Sequence, residues 1–245
     1  MILKAAACTD VGLRRKENED RHALAPPLGF YLVADGMGGH SAGQVASQLA
    51  AEAALQAVQT LEDASASLAE KLRYAVASAN RAIYAAARQK PEYAGMGTTL
   101  VALLTDGERA ALAHVGDSRA YLVRQGRIRQ LTDDHSIVGE LLRRREISAN
   151  DARDHPHRHV LTRALGVRRS VEADLAELTP EVGDVFVLCS DGLTNHVEDP
   201  EIAEAVSGER ELQEICEALV DLANGRGGED NTTVLLLRCE KGDAG

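Results

Sequence analysis

Apolar and polar positions change rhythm several times along the chain, and each change marks an element. Residues 2–9 (ILKAAACT) and 29–34 (GFYLVA) are short apolar runs that feed polar loops, the pattern of strands. Residues 42–60 and about 66–89 are rich in alanine with apolar positions at helical spacing, and they predict two adjacent helices covering one face of a sheet. The texture then shortens. Residues 98–104 (TTLVALL), 110–115, 119–124 (RAYLVR) and 127–131 are brief runs separated by tight turns such as TDGE and RQGR, which predicts a meander of antiparallel strands. Residues 133–165 are charged and rich in His and Arg, and predict one or two short helices in an irregular surface segment. Strands return at 171–178 and 184–189 (DVFVLC), a helix follows at about 209–224, and 232–238 (TTVLLLR) is the last strand.

Strands and helices are therefore segregated rather than alternating, which points to an α+β chain with antiparallel sheets packed together under helices, not to a parallel doubly wound sheet. The expected organisation is one domain over residues 1–245, with a flap at about 136–165 laid on one edge. A chain of 245 residues can bury a substantial core. Its 38 Asp and Glu against 27 Lys and Arg give a formal charge of −11, which argues against nonspecific nucleic-acid binding, since that depends on basic residues neutralising phosphates. No run of 18 apolar residues suggests a membrane span, and the N-terminal MILKAAACTD lacks the longer apolar region and cleavage site of a secretory signal. Cys8, Cys189, Cys216 and Cys239 are far apart and form no CxxC, so free thiols in a reducing, cytoplasmic compartment are expected.

The aspartates fall in an informative way. Asp20 ends the polar string ENED, Asp35 follows FYLVA directly, and Asp117 sits just past ALAHV in HVGDSR. Asp191 lies past DVFVLC in CSDGL, and Asp230 precedes the last strand in EDNTTVLLL. Taken singly, an Asp beside Gly reads as a turn. Four of the five touch an apolar strand and three have Gly adjacent, and together they can instead aim carboxylates at one place from rigid elements. Converging carboxylates repel and are tolerated only with a compensating cation, and an all-oxygen ligand set suits Mg²⁺, Mn²⁺ or Ca²⁺.

With their flanking strings, these residues resemble the metal-dependent protein phosphatases, the PPM class or type 2C. The resemblance runs from about Thr9 to Leu237. It rests on the order and spacing of TDVGLRRKENEDR, VADGMGGHSAG, GMGTTLVALL, HVGDSRAYL, LTDDHSIV, HPHRHVLTRALG, LCSDGLTNHV and GEDNTTVLLL, and it is to the short free-standing bacterial members. It implies an α/β/β/α sandwich and hydrolysis of phosphoserine and phosphothreonine in proteins, by a hydroxide bridging two metals that attacks phosphorus in line. It also implies two tightly bound Mn²⁺ or Mg²⁺ ions and a weaker third. Asp35 matches the residue bridging two metals, with the Gly36 carbonyl as a further ligand. Asp191 and Asp230 match ligands of the first metal, and Asp20 with Glu19 the acidic pair near the second. Asp117 and Asp191 match ligands of the third. Arg15 matches the arginine that grips the substrate phosphate, with Arg14 as the competing choice, and His40 matches the general acid. The implied partners are phosphorylated proteins, a Ser/Thr kinase or its substrates, with no nucleic acid and no membrane.

Other histidines read differently. His114, at the end of an apolar strand, is expected to be a hydrogen-bonded core residue. His155, His157 and His159 alternate along an extended stretch and could share a face. The family string has a single His at position 155, so His157 and His159 read as solvated flap residues. Rival chemistries are weaker. Cys8 and Arg14 have the C-x5-R spacing of a thiolate phosphatase, but the glycine-rich loop that would open a helix there is missing. DGMGGH has no following Lys, as a P-loop needs, and lacks the glycine spacing of a dinucleotide site. A non-catalytic module on the same fold should have lost metal aspartates, and all five are present.

Overall fold

The computed structural model describes residues 1–39, 42–61, 65–148, 151–152 and 155–242. Eleven strands among them form two antiparallel sheets. In the first, β1 (Ile2–Asp10) pairs with β11 (Thr232–Glu240), followed by β10 (Val185–Cys189), β7 (Arg119–Arg124) and β8 (Arg127–Gln130). In the second, β2 (Asp20–Ala25), β3 (Phe30–Met37), β5 (Leu100–Thr105), β6 (Ala110–Val115) and β9 (Asp174–Leu178) follow one another, and the short β4 (Gly97–Thr98) pairs with the end of β3. Helices α1 (Ala42–Thr60) and α2 (Leu68–Gln89) cover the second sheet. The first is covered by α4 (Asp191–Thr194), α5 (Asp199–Val206) and α6 (Leu212–Gly225). Helix α3 (Ile137–Arg143) lies in the 133–165 region. The expected α/β/β/α layering is what forms.

The layering follows from alternation along each strand. Tyr31, Val33, Val101 and Leu103 face Leu122, Phe186, Leu188 and Leu235 between the sheets. Phe30, Leu32 and Ala34 turn the other way, onto Ala46, Ala50, Leu72 and Ile83 of the helices. Central strands are buried on both faces, which is why DVFVLC and TTVLLLR read as continuous apolar runs. The chain is poor in aromatic residues, so small side chains (Ala46, Ala50, Ala54, Ala75, Ala79) let α1 and α2 approach the sheet closely. Helix α2 starts at a capping box: Ser67 Oγ accepts from Glu70 N at 3.2 Å, and the Glu70 carboxylate accepts from Ser67 N at 2.8 Å.

Three expectations change. Asp20 does not end a loop but opens β2, an edge strand (DRHALA) too polar to read as one. The 98–104 run divides at Thr99, which turns its main chain toward Asp35. Helices α4 and α5 were not legible, being only 4 and 8 residues long. Among the described residues no helix is long and apolar enough to cross a membrane.

Candidate active site

The aspartates meet at one end of the sandwich, contributed by both sheets. The β2–β3 register sets Asp20 directly across from Asp35. Asp191 is the first residue of α4, immediately after β10, and Asp230 lies two residues before the neighbouring β11. Asp117 sits in the turn between β6 and β7, which belong to different sheets.

Polar neighbours fix each group. Asp35 is locked by Thr99: Asp35 N donates to Thr99 Oγ1 at 2.9 Å, and Asp35 O accepts from Thr99 N at 2.9 Å and from Thr98 Oγ1 at 2.8 Å. Asp20 is 1% exposed, and its Oδ2 accepts from Ser190 Oγ at 2.7 Å. Ser190 Oγ in turn accepts from Thr233 N at 2.9 Å, which joins β2, β10 and β11 at this point. Asp191 Oδ2 accepts from Asn195 Nδ2 at 3.1 Å. Asn231 stitches the loop before β2 in place: its Nδ2 donates to Val11 O and Glu17 O, and its Oδ1 accepts from Glu19 N at 2.8 Å. Arg15 reaches over from that loop, with Nη2 2.7 Å from Asp230 Oδ2.

Gly36 continues β3 against the start of α1. A Cβ there would lie 2.1 Å from Gly43 O and 2.7 Å from Glu19 O, so only glycine permits this approach. Gly36 N donates to Glu19 O at 3.2 Å, and the Glu19 carboxylate accepts from Gly43 N.

The electrostatics are those of buried carboxylates that repel one another. Burial pushes Asp20 from 3.8 up to about 7, against hydrogen bonds from Ser190 and Thr233 and with help from the charges of Asp191 and Asp230. Burial, then Asp20, Asp191, Asp117 and Asp230, hold Asp35 well above the usual carboxylate range. Burial and Asp191 do the same to Asp117, and burial and Asp230 raise Asp191. Glu19 is raised chiefly by burial. Burial works against the charge on Arg15, and Asp230, Glu19 and Asp35 outweigh it. Asp20 Oδ1 and Asp191 Oδ1 are buried with no hydrogen-bond partner among the described residues. Buried carboxylate oxygens without a donor are costly unless a cation meets them. All-oxygen donors fit hard divalent ions.

The remaining candidates sort clearly. Arg14 is exposed and only its main chain is engaged, to Gly228 O at 3.2 Å, so Arg15 is the arginine at the cluster. His40 lies outside the described residues. His114 is buried, but among the described residues neither ring nitrogen has a hydrogen-bond partner of normal geometry. The expected hydrogen bonds are replaced by stacking on His135, with ring centroids 4.6 Å apart, and burial with that neighbour lowers its pKa to about 3. His155 is half-buried, while His157 and His159 are exposed, and the charge of His159 is felt at Asp191. Cys8 sits on β1 beside Cys216, and burial pushes its thiol up, opposite to what a thiolate nucleophile needs. The sequence reading missed Ser190, Thr99 and Asn231. Ser190 and Asn231 were in view beside singled-out aspartates, in CSDG and EDN, and Thr99 lay in the quoted string GMGTTLVALL, but a hydroxyl or amide announces no partner until the strands are paired.

Known proteins resemble this chain in sequence and fold. The family model described as Protein phosphatase 2C matches residues 7–232. The chain is 42% identical to the serine/threonine phosphatase stp of Listeria monocytogenes over 236 residues, covering 94% of this chain and 93% of that one. Its fold superposes on the Mycobacterium tuberculosis serine/threonine phosphatase PstP/Ppp with a TM-score of 0.91 at 40% identity, over 98% of this chain and 100% of that one. The catalytic domain of PstP in complex with two manganese ions superposes with a TM-score of 0.89 at 38% identity, over 98% and 99%. The family model, the full-length identity and the superposed fold agree, and this chain belongs to the protein phosphatase 2C family.

Proposed function

We propose that the chain is a serine/threonine phosphoprotein phosphatase that depends on Mn²⁺ or Mg²⁺. The observation that carries this is the set of buried aspartates from both sheets, mutually repelling, with the unpartnered oxygens Asp20 Oδ1 and Asp191 Oδ1 among them. In this reading Asp35 and the Gly36 carbonyl, with Asp191 and Asp230, hold one ion. Asp35 and Asp20, with Glu19 nearby, serve a second, and Asp117 with Asp191 a weaker third. When bound, such ions cancel substrate charge and activate water at neutral pH.

The chain's own groups do the rest. Arg15 is half exposed and tethered to Asp230, so its planar fork can turn to phosphate oxygens entering from solvent. Thr99, Ser190 and Asn231 fix the carboxylates before substrate arrives, and prearranged charge is the main source of acceleration in phosphoryl transfer. His40 is assigned the protonation of the leaving serine or threonine oxygen. We read residues 1–245 as one phosphatase unit with 136–165 as its flap, supported by the shared core between the sheets and by the charge of His159 felt at Asp191. Four unpaired thiols suit a cytoplasmic setting, where the substrates would be a Ser/Thr kinase or its targets.

The test is hydrolysis of a phosphothreonine peptide with Mn²⁺, with EDTA and after iodoacetamide. Activity should require Mn²⁺ and survive alkylation, and Asp191→Asn should abolish it. Normal turnover by Asp191→Asn removes the metal assignment, and no activity with any metal in folded protein makes the chain a binding module.

A further inference from the structure

The turn that carries Asp117 is held from two sides. On one, Ser118 Oγ lies 2.6 Å from Thr99 Oγ1, and Thr99 is the residue that locks Asp35. A Cβ on Gly116 (φ +111) would meet Thr99 Cβ at 2.6 Å, so the turn has no room in that direction. On the other side, His135 brackets Gly116. Its main-chain N–H donates to Gly116 O at 2.7 Å, and its ring Nδ1 accepts from Gly116 N at 3.1 Å. Because Nδ1 accepts, the ring proton is on Nε2, 3.1 Å from Asp174 Oδ2. Asp174 Oδ1 accepts from Arg163 Nη1 at 2.5 Å, and Arg163 also donates to Glu172 O at 3.1 Å. His135 O accepts from Thr162 N at 2.8 Å. Arg163 in turn lines a groove of about 620 Å³ that also includes His159, Val160 and Met37.

We infer that His135, oriented by Asp174 and Arg163, is a positioning residue that fixes the Gly116–Asp117 turn so that the Asp117 carboxylate is aimed into the aspartate cluster. The inference rests on the proposed reading of Asp117 as a ligand of the weaker ion. His135 thus holds the N–H of the peptide unit before Gly116 and the carbonyl of the unit after it, which restrains both, and a carboxylate that need not be re-aimed binds a cation more tightly. The same chain of bonds ties the groove at 159–172 to the acidic site, through a residue that touches neither phosphate nor metal.

Two amide substitutions separate the two ends of the ring. His135→Asn places an amide oxygen near the position of Nδ1 and keeps an acceptor for Gly116 N. His135→Gln reaches the position of Nε2 and leaves Gly116 N without its acceptor. Mn²⁺ binding is measured by calorimetric titration on the parent, Asp117→Asn, His135→Gln and His135→Asn proteins, with the melting curve recorded for each. Asp117→Asn should lose the weaker ion and keep the tighter ones. His135→Gln should weaken the weaker ion about 10-fold, the size of effect typical of groups that orient a ligand, leaving the tighter ions and the phosphopeptide KM unchanged. His135→Asn should restore most of the loss. Equal weakening by both amides, or uniform weakening of every ion, overturns the positioning role. Parent-like Mn²⁺ binding by His135→Gln alongside loss in Asp117→Asn overturns it too while leaving the Asp117 reading intact. Parent-like binding by Asp117→Asn overturns that reading and the inference with it. If His135→Gln does not fold, Asp174→Asn serves instead, since Asp174 has a side chain 53% exposed. It should weaken the same ion about 3-fold, below the full effect of losing the ring acceptor, and no change overturns the inference.

Discussion

Removing the metal should turn Asp20 from an asset into a liability whose size depends on pH. Its carboxyl is held at about 7 against an ordinary 3.8, with burial as the largest cause. A carboxyl raised on folding stabilises the fold fully below its unfolded value, and that contribution is lost as pH rises through the folded value. Each unit is worth about 1.4 kcal/mol, so the metal-free protein loses about 4 kcal/mol from Asp20 between about pH 4 and pH 8. His114, lowered to about 3 by burial, acts in the opposite sense, because the unfolded chain takes up its proton below about pH 6.5. Comparing the parent with Asp20→Asn cancels that term, since His114 is present in both. The measurement is urea unfolding of both proteins after metal stripping, at about pH 5 and about pH 7. The stability difference in favour of Asn should grow by about 2 kcal/mol across that interval, as the proton-binding difference integrates to nearly two units there. Saturating Mn²⁺ should reverse the order, because an ion that binds only the folded parent adds stability by mass action. A difference independent of pH, or a parent more stable than Asp20→Asn at about pH 7 without metal, would show that the Asp20 carboxyl is not held up by burial.

Other expectations are simpler to read. Gly36→Ala keeps the carbonyl but drives a methyl to 2.1 Å from Gly43 O; it should lower stability by about 3 kcal/mol or more and reduce Mn²⁺-dependent turnover, seen together in a melting curve and a phosphopeptide assay. Arg15→Ala should raise KM for phosphopeptide more than it lowers kcat, and Arg15→Lys should recover only part of the loss, because a point charge lacks the fork. Ser190→Ala leaves Thr233 N without its acceptor and removes the Ser190 hydroxyl from Asp20 Oδ2, which should cost about 1–3 kcal/mol in denaturant unfolding.

The layered fold was legible because its strands and helices announce themselves in different ways. TTVLLLR and DVFVLC are uniformly apolar because both faces of β11 and β10 are buried, and the alanine periodicity of α1 and α2 is the footprint of a close helix-on-sheet contact. The edge strand β2 escaped because half-burial leaves DRHALA without a pattern. At the site, the carboxylates could be picked out because Asp at a strand end beside Gly is a local signal. Their supports could not. The bond from Ser190 to Asp20 spans 170 positions and the bond from Asn231 to Glu19 spans 212, and nothing local encodes a partner at that distance. His114 shows the converse: its burial was readable from the apolar strand around it, but not that stacking on His135 would replace hydrogen bonds.

The position of β1 governs when this molecule can become functional during its synthesis. β1 is the outermost strand of its sheet, and β11 is the neighbour it pairs with, from Ile2 against Glu240 to Asp10 against Thr232. The loop that follows β1 is fastened by Asn231. A nascent chain that has exposed Asp20, Asp35, Asp117 and Asp191 therefore still lacks the partner of β1 and the fastening of the loop between β1 and β2. They settle only when the last strand leaves the ribosome tunnel and slides between β1 and β10. β1 is translated long before β11 yet settles only with it, and a ribosome-bound chain stalled before Asn231 should be unable to assemble the aspartate cluster however long it waits.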